Sequence, residues 1–371
     1  MADRADVYGK YSLGSGAILA DKDRVWSALA DPEVIVRYEA SMRHDLAKSG
    51  IAIETLADWH LMDVGTGRQA LAFLKMGARR VSHFDISSEN VARVDAHIRT
   101  NDLSGWLDTT CCDLVETDLG REKFDFVYLN GIVQHFSDVG RGLVNCIRAL
   151  KPNGYLWLYF YRSGTFDNFV LYMLRTLANG SNIVTDDKLM RDEYVGARLF
   201  FSPEAGNNYL TSIYMDGVFT RYARLYAAHT YLRFAADCGF EVVSSSGLDP
   251  LGADVDHYFA RSATVVTLKK VKAVADADIV QAAQNLAPDL EVDQLDPSLY
   301  AAPEILRSIA LYRQLAEALA KPGVPAAARM LTVMRLFAFL VGTRDMGCDA
   351  TQRHHDLHKL MECMIGLMTE G

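Results

Sequence analysis

His60-Leu-Met-Asp-Val-Gly-Thr-Gly-Arg-Gln-Ala70 is the stretch that decides the fold. A short apolar run leads into a glycine turn, and a helical pattern follows. Gly65 and Gly67 carry no side chain where the chain must turn sharply or let a ligand approach the backbone. On either side, short apolar runs alternate with helical stretches. The runs are Trp59–Val64, Arg80–Asp85, Trp106–Cys112, Phe124–Asn130 and Tyr155–Tyr161. The helical patterns are Gln69–Met76, Ser88–Thr100 and Val139–Leu150. This alternation predicts an α/β fold with a parallel sheet and helices on both faces. Lys151-Pro-Asn-Gly154 reads as a turn before the fifth strand.

Further out the texture changes. Residues 1–56 read as an amphipathic helical segment after a Gly/Ser/Tyr-rich start, with Tyr8, Tyr11 and Tyr38 as candidates for a lid. Residues 162–225 have no clean period and read as a Tyr-rich insertion on the substrate side. A helix over 226–237 stops at Gly239. Phe240–Ser245 and Tyr258–Lys269 read as an antiparallel pair with a long connection. From 276 to 368, Ala, Leu, Gln, Glu and Met recur at helical spacing, broken at Pro297, Pro303 and Pro322–Pro325, which predicts three to five helices. The expected organisation is 1–56 as N-terminal segment, 57–272 as the α/β domain with its insertion, and 273–371 as a C-terminal helical domain.

The spacing Gly65-x-Gly67-x-x-Ala70 suits a dinucleotide as well as other nucleoside cofactors. Charge separates these readings. Asp63 stands two residues before Gly65, where a pyrophosphate would meet a carboxylate of its own sign. S-adenosylmethionine instead brings an ammonium and a sulfonium, which suit that acid. Asp85 follows one strand–helix–strand unit later (63 to 85), the spacing of an acid that accepts from both ribose hydroxyls. Asp113, in Cys111-Cys112-Asp113-Leu114, closes the third strand where a carboxylate can accept from an adenine amine. The fourth strand ends at Asn130-Gly131, beneath the expected place of the methionine moiety.

In order and spacing, these stretches resemble the motifs of the class I (Rossmann-like) S-adenosylmethionine-dependent methyltransferase family. Asp63-Val-Gly-Thr-Gly67 resembles the glycine loop, Asp85 the ribose acid, and Cys112-Asp113-Leu114 the adenine site. Phe124–Val127 resembles the fourth strand and Leu150–Gly154 the turn before the fifth. The match covers residues 58–162 and, more loosely, 226–270. It implies a Rossmann-like, mostly parallel sheet of seven strands with the last antiparallel. It also implies S-adenosyl-L-methionine as cofactor, held by Asp63, Gly65, Thr66, Gly67, Asp85, Ile86, Cys112, Asp113, Leu114, Asn130 and Gly131. One departure is Arg68-Gln69-Ala70, where many relatives carry a glycine or other small residue.

Methyl transfer needs an acceptor aligned with carbon and sulfur, and a base only if the acceptor must lose a proton. His135 and Tyr161 are the candidate bases; Tyr159, Arg162 and Asp216 are the candidate acceptor contacts. Against each stands a plainer reading. His135 serves equally as a helix-start residue, and Tyr159 and Tyr161 as packing with a wet phenol. His354 and His358 share a helix face, yet a surface or interface cluster is the preferred reading and no metal is expected. Met330, Met334, Met361, Met364 and Met368 read as helix core or a dimer face. The six cysteines lack Cys-x-x-Cys spacing and read as reduced, mostly buried thiols.

Half the residues are apolar and the formal net charge is −9. The acidic total and the lack of a basic tract argue against a nucleic-acid partner. With no leader-like start and no long apolar run, the expectation is a cytoplasmic protein without membrane contact. The expected activity is methyl transfer to a small molecule. The alternatives are a methyltransferase for tRNA or protein, an NAD(P)-dependent oxidoreductase, and a non-catalytic cofactor-binding subunit. A homodimer through the C-terminal helices is also expected.

Overall fold

The computed structural model describes residues 32–161, 166–179, 200, 214, 217–218, 224–246, 263–286, 303–345 and 350–369. The chain divides into two compact units. The first comprises residues 1–161, 222–248 and 263–289; the second comprises 162–221, 249–262 and 290–371.

The first unit is built on a seven-stranded sheet: β1 (His60–Val64), β2 (Arg80–Asp85), β3 (Leu107–Cys111), β4 (Phe124–Asn130), β5 (Leu150–Tyr161), β6 (Phe240–Ser246) and β7 (Ala263–Lys270). Their order is β3-β2-β1-β4-β5-β7-β6, with only β7 antiparallel to its neighbours. Strand order reverses between β1 and β4. The crevice beyond the carboxyl ends of these two strands is where an open α/β sheet takes a ligand.

Strand alternation assigns the two faces. On one face Leu61, Val81, Leu107, Phe126, Tyr128 and Trp157 pack under α1 (Pro32–Lys48), α2 (Arg68–Lys75) and α3 (Ser88–Thr100). On the other, Met62, Val127, Leu129, Leu156, Leu158 and Phe160 pack under α4 (Val139–Ala149), α6 (Ala228–Asp237) and α7 (Asp276–Gln284). Two of these helices begin under a side-chain cap. Ser87 Oγ accepts from Asn90 N at 3.2 Å above α3, and Asp138 accepts from Arg141 N at 2.9 Å above α4.

Four expectations are corrected. The turn expected at Lys151–Gly154 lies inside β5, which starts at Leu150 and bulges against β4. Asn153 takes the strain there with φ +63, a conformation asparagine tolerates. The boundary expected at 272/273 lies after 289, because α7 buries Ile279 and Ala282 in the sheet's own core. The thiols are not mostly buried: Cys111 and Cys363 are exposed and Cys112 is half-buried, while Cys146 and Cys238 are buried. Cys348, the start of the second antiparallel strand (258–262) and the Tyr8 and Tyr11 lid candidates lie outside the described residues.

The second unit contains α5 (Phe166–Asn179), α8 (Pro303–Ala320), α9 (Ala326–Asp345) and α10 (Ala350–Thr369). So residues 166–179 of the expected insertion group with the C-terminal helices. Tyr214 stacks edge-on with Phe337 at 5.1 Å, and Met334, Met361 and Met364 are buried, as a helix core requires. The fourth correction is here. His354 and His358 are not on the surface but buried, with His354 Nδ1 and His358 Nε2 at 3.2 and 2.8 Å from the buried Ser308 hydroxyl. Among the described residues no group of three or more His, Cys, Asp or Glu side chains could hold a metal ion.

Candidate functional site

The site forms where β1, β2 and β4 end. Gly65 has φ +122 and Gly67 φ +81, backbone that side-chain-bearing residues avoid. Gly67 opens α2 without a side-chain cap of its own. Asp63 supplies one from the strand: its Oδ2 accepts from Ala70 N at 3.0 Å. Its Oδ1 is buried with no hydrogen-bond partner. An unpaired carboxylate oxygen in a closed site is costly unless protonated or met by a cation. Accordingly burial pushes Asp63 up to about 7, helped by the repulsion of Asp85 and opposed by its backbone bonds.

Asp85 ends β2. Its Oδ1 accepts from Ser87 N at 2.7 Å and its Oδ2 from Asn90 Nδ2 at 2.9 Å. These two bonds fix the carboxylate plane. Burial outweighs them and raises this acid also to about 7. Thus two buried acids stand at neighbouring strand tips, and among the described residues Arg68 is the cation that acts on Asp63, as a minor influence.

Arg68 is itself buried. Its Nε donates to Thr66 Oγ1 at 3.0 Å, and its guanidinium lies 5.4 Å from the Tyr38 ring of α1. The unusual residue in the glycine loop therefore ties that loop to the N-terminal helix.

At the end of β3, Cys112 N donates to Asp85 O at 2.9 Å, joining the second and third strand ends. Cys111 Sγ reaches Ile86 O at 3.7 Å. Asp113 is half-buried and spends one oxygen on its own turn, accepting from Val115 N at 2.9 Å. Leu114 is buried in the core beneath the turn.

On the β4 side, Gly131 is held at both ends. Its N–H donates to Tyr159 O at 2.9 Å and its carbonyl accepts from Gln134 Nε2 at 2.6 Å. With φ +66, a Cβ at 131 would sit 3.5 Å from the Tyr159 ring. A Cβ at Gly65 would sit 3.6 Å from Ile132 Cδ1, so the β1 and β4 loops face each other across the crevice. His135 is buried in the short turn after β4. Tyr159 and Tyr161 stand half-buried on one face of β5, rings edge-on at 5.8 Å.

Among the described residues the structure brings Asp63, Gly65, Thr66, Gly67, Asp85 and Ile86 together with Asn130, Gly131, His135 and Tyr159 around the strand ends. Tyr161 extends the same face, and the Cys112–Leu114 turn joins through Asp85. Arg162 and Asp216 lie outside the described residues. Sequence reasoning missed His83, Asn90, Gln134 and the packing of Arg68. Asn90 had a readable signal, since it lies one turn into a helix whose first residues follow the strand-end acid.

A Rossmann-like sheet with acids at the ends of β1 and β2 and a glycine turn between them defines a nucleoside-cofactor domain of the methyltransferase type. Comparison places it. Residues 62–158 match the family described as methyltransferase domain, and the chain carries a class I S-adenosylmethionine-dependent methyltransferase domain. Among curated relatives, it is 32% identical over 152 residues to a ubiquinone biosynthesis O-methyltransferase of Bradyrhizobium sp. (strain ORS 278), covering 38% of this chain and 58% of that protein. The namesake from Nitrobacter winogradskyi is 31% identical over 152 residues, covering 38% and 56%. The match thus spans little more than half the length of these relatives. Among solved structures, Burkholderia thailandensis 1,6-didemethyltoxoflavin-N1-methyltransferase, with 1,6-didemethyltoxoflavin and S-adenosylhomocysteine bound, is similar over 72% of this chain and 89% of its own. The TM-score is 0.40 and the identity 16%. Among the described residues no helix is long and apolar enough to cross a membrane.

Proposed function

We propose that the chain transfers the methyl group of S-adenosylmethionine to a small-molecule acceptor, through an acceptor oxygen. The observation that carries this reading is Asp63: a fully buried carboxylate with one unpaired oxygen beside a glycine turn, a place made for a cation. Its charge speaks against a pyrophosphate and therefore against the oxidoreductase alternative. The O-methyltransferase names of the relatives support oxygen as the accepting atom.

S-adenosylmethionine supplies a methyl carbon already activated by sulfonium. The protein must hold both partners and keep water out. In this reading Asp63 receives the ammonium, Asp85 the ribose hydroxyls, and the free oxygen of Asp113 the adenine amine. Gly65, Thr66, Gly67, Asn130 and Gly131 line the methionyl end, and Ile86, Cys112 and Leu114 support the adenosine end. His135 takes the acceptor's hydroxyl proton, with Tyr161 as the other candidate. Tyr159, beside Gly131, offers a ring face to a planar acceptor. Residues 1–56 act as a lid, tied to the glycine loop through Tyr38 and Arg68. We further place the protein in the cytoplasm, with no nucleic-acid or membrane partner, as a homodimer through its C-terminal helices.

Calorimetry with S-adenosylmethionine, S-adenosylhomocysteine and NAD, on wild type and Asp85→Ala, tests the reading. The expected result is micromolar binding of the first two, none of NAD, and a weaker variant. NAD binding alone overturns it. Cofactor binding without methyl transfer to any component of a small-molecule extract favours a non-catalytic subunit.

A further inference from the structure

A lateral row of side chains crosses the sheet at the level of Asp63. In register, Thr109 of β3, His83 of β2, Asp63 of β1, Tyr128 of β4 and Trp157 of β5 are neighbours. His83 is fully buried. Its Nδ1 lies 2.8 Å from Thr109 Oγ1 and its Nε2 2.5 Å from the Gly65 carbonyl. A carbonyl only accepts, so Nε2 carries the proton and Nδ1 accepts from the threonine hydroxyl. Meanwhile Gly65 N donates to Phe84 O at 3.0 Å. The residue at the apex of the turn is therefore gripped at both ends by β2, once by backbone and once by the imidazole.

We propose that His83 is a positioning residue for the cofactor, holding the Gly65 peptide so that the glycine turn is set for the methionyl moiety before binding. This rests on the reading of the site as an S-adenosylmethionine site. The residue type fits the task. A lysine reaching the same carbonyl would place a charge beside Asp63 and neutralise it. A neutral imidazole donates without doing so, and burial holds His83 down at about 4, so it stays neutral across the physiological range. Asp63 is left for the ligand. The adenosine end is held by different partners, since Asp85 is fixed by Ser87 and Asn90.

Freezing one backbone residue costs about 1–2 kcal/mol, so a turn released by loss of His83 should weaken binding by about 5- to 30-fold. The loss should appear only for ligands with a methionyl tail. The experiment measures Kd for S-adenosylhomocysteine and for 5′-methylthioadenosine, which shares the nucleoside but lacks the tail, on wild type, His83→Phe, His83→Gln and Thr109→Val. The expected result is a selective loss for S-adenosylhomocysteine in His83→Phe. His83→Gln, whose amide reaches the same carbonyl, recovers most of it, and Thr109→Val shows a smaller loss of the same kind. Equal weakening of both ligands, or no change in their ratio, overturns the proposal. If His83→Phe does not fold, the same ratio in Thr109→Val against wild type decides. Failure of wild type to bind S-adenosylhomocysteine at all would sink the cofactor reading itself. Wild-type binding with an unmoved ratio sinks only the role of His83.

Discussion

Lowering the pH should loosen the cofactor far more steeply than an ordinary carboxylate site would allow. Asp63 and Asp85 are both raised by burial to about 7. A cation at Asp63 requires the ionised form. Each proton that must leave costs a factor of ten in affinity per pH unit below the group's pKa. At pH 5.5 one such proton weakens binding by about 30-fold relative to pH above 7, and two by about 1000-fold. Because the acids repel each other they titrate as a pair, so log Kd should fall by between about 1 and 2 for each unit that pH rises toward 7. In the proposed role Asp85 accepts from hydroxyls and keeps one acceptor oxygen when protonated, so Asp63 should dominate.

Calorimetry with S-adenosylhomocysteine from pH 5.5 to 8.0, in buffers of different ionisation enthalpy, reads both the slope and the protons released. Adenosine, which lacks the ammonium, should show a shallower slope. Asp63→Asn keeps the acceptor for Ala70 N but not the charge, and should flatten the profile while weakening binding at pH 8. A Kd independent of pH between 5.5 and 7 would refute the reasoning. For the free protein the sign is opposite. Folded pKa values above the unfolded 3.8 mean the native state holds protons the unfolded chain has lost. Stability from these acids therefore falls as pH rises from about 4 to about 7.

Other consequences follow from the same geometry. Gly67→Ala, at φ +81, should cost about 1 kcal/mol in urea denaturation, and Gly65→Ala, at φ +122, about 3 kcal/mol. Equal stability to wild type would contradict the required backbone. Ser308→Ala should cost about 1–3 kcal/mol by withdrawing the hydroxyl between two buried imidazoles; an unchanged denaturation midpoint argues against that network. With a hydroxyl acceptor, His135→Asn should lower kcat by about 100-fold or more. The Kd for S-adenosylhomocysteine should not move, and full activity in the variant would reassign the base.

The fold was legible because its signals are local. A strand buried on both faces reads as an apolar run, and a glycine at a strand end reads as a turn; β1, β2 and β4 fall within a residue of where the sequence puts them. The Lys151–Gly154 stretch misled because Pro, Asn and Gly mark a bulge as readily as a turn. Only pairing with β4 tells them apart, and pairing is not local. The two histidines of α10 misled in the same way. Their spacing puts them on one helix face, but whether that face meets water or Ser308 depends on α8, far away in the chain.

The candidate site divides along the same line. Asp63 and Asp85 were legible because the roles proposed for them depend on position at a strand tip, which the strand pattern already fixes. His83 was not, although it lies two residues before Asp85 in the same strand. In sequence it is one of several polar residues in a short strand, beside Ser82, and nothing local sets it apart from them. Its meaning comes from register: β2 sets it beside Asp63 on one side and Thr109 on the other, and the turn after β1 brings the Gly65 carbonyl back to its ring. A side chain that acts by holding a neighbouring strand's backbone leaves no motif of its own, since its partner is a peptide group that every residue has. Such residues are found by asking where each buried backbone carbonyl in a binding turn finds its donor. At Gly65 the answer is His83.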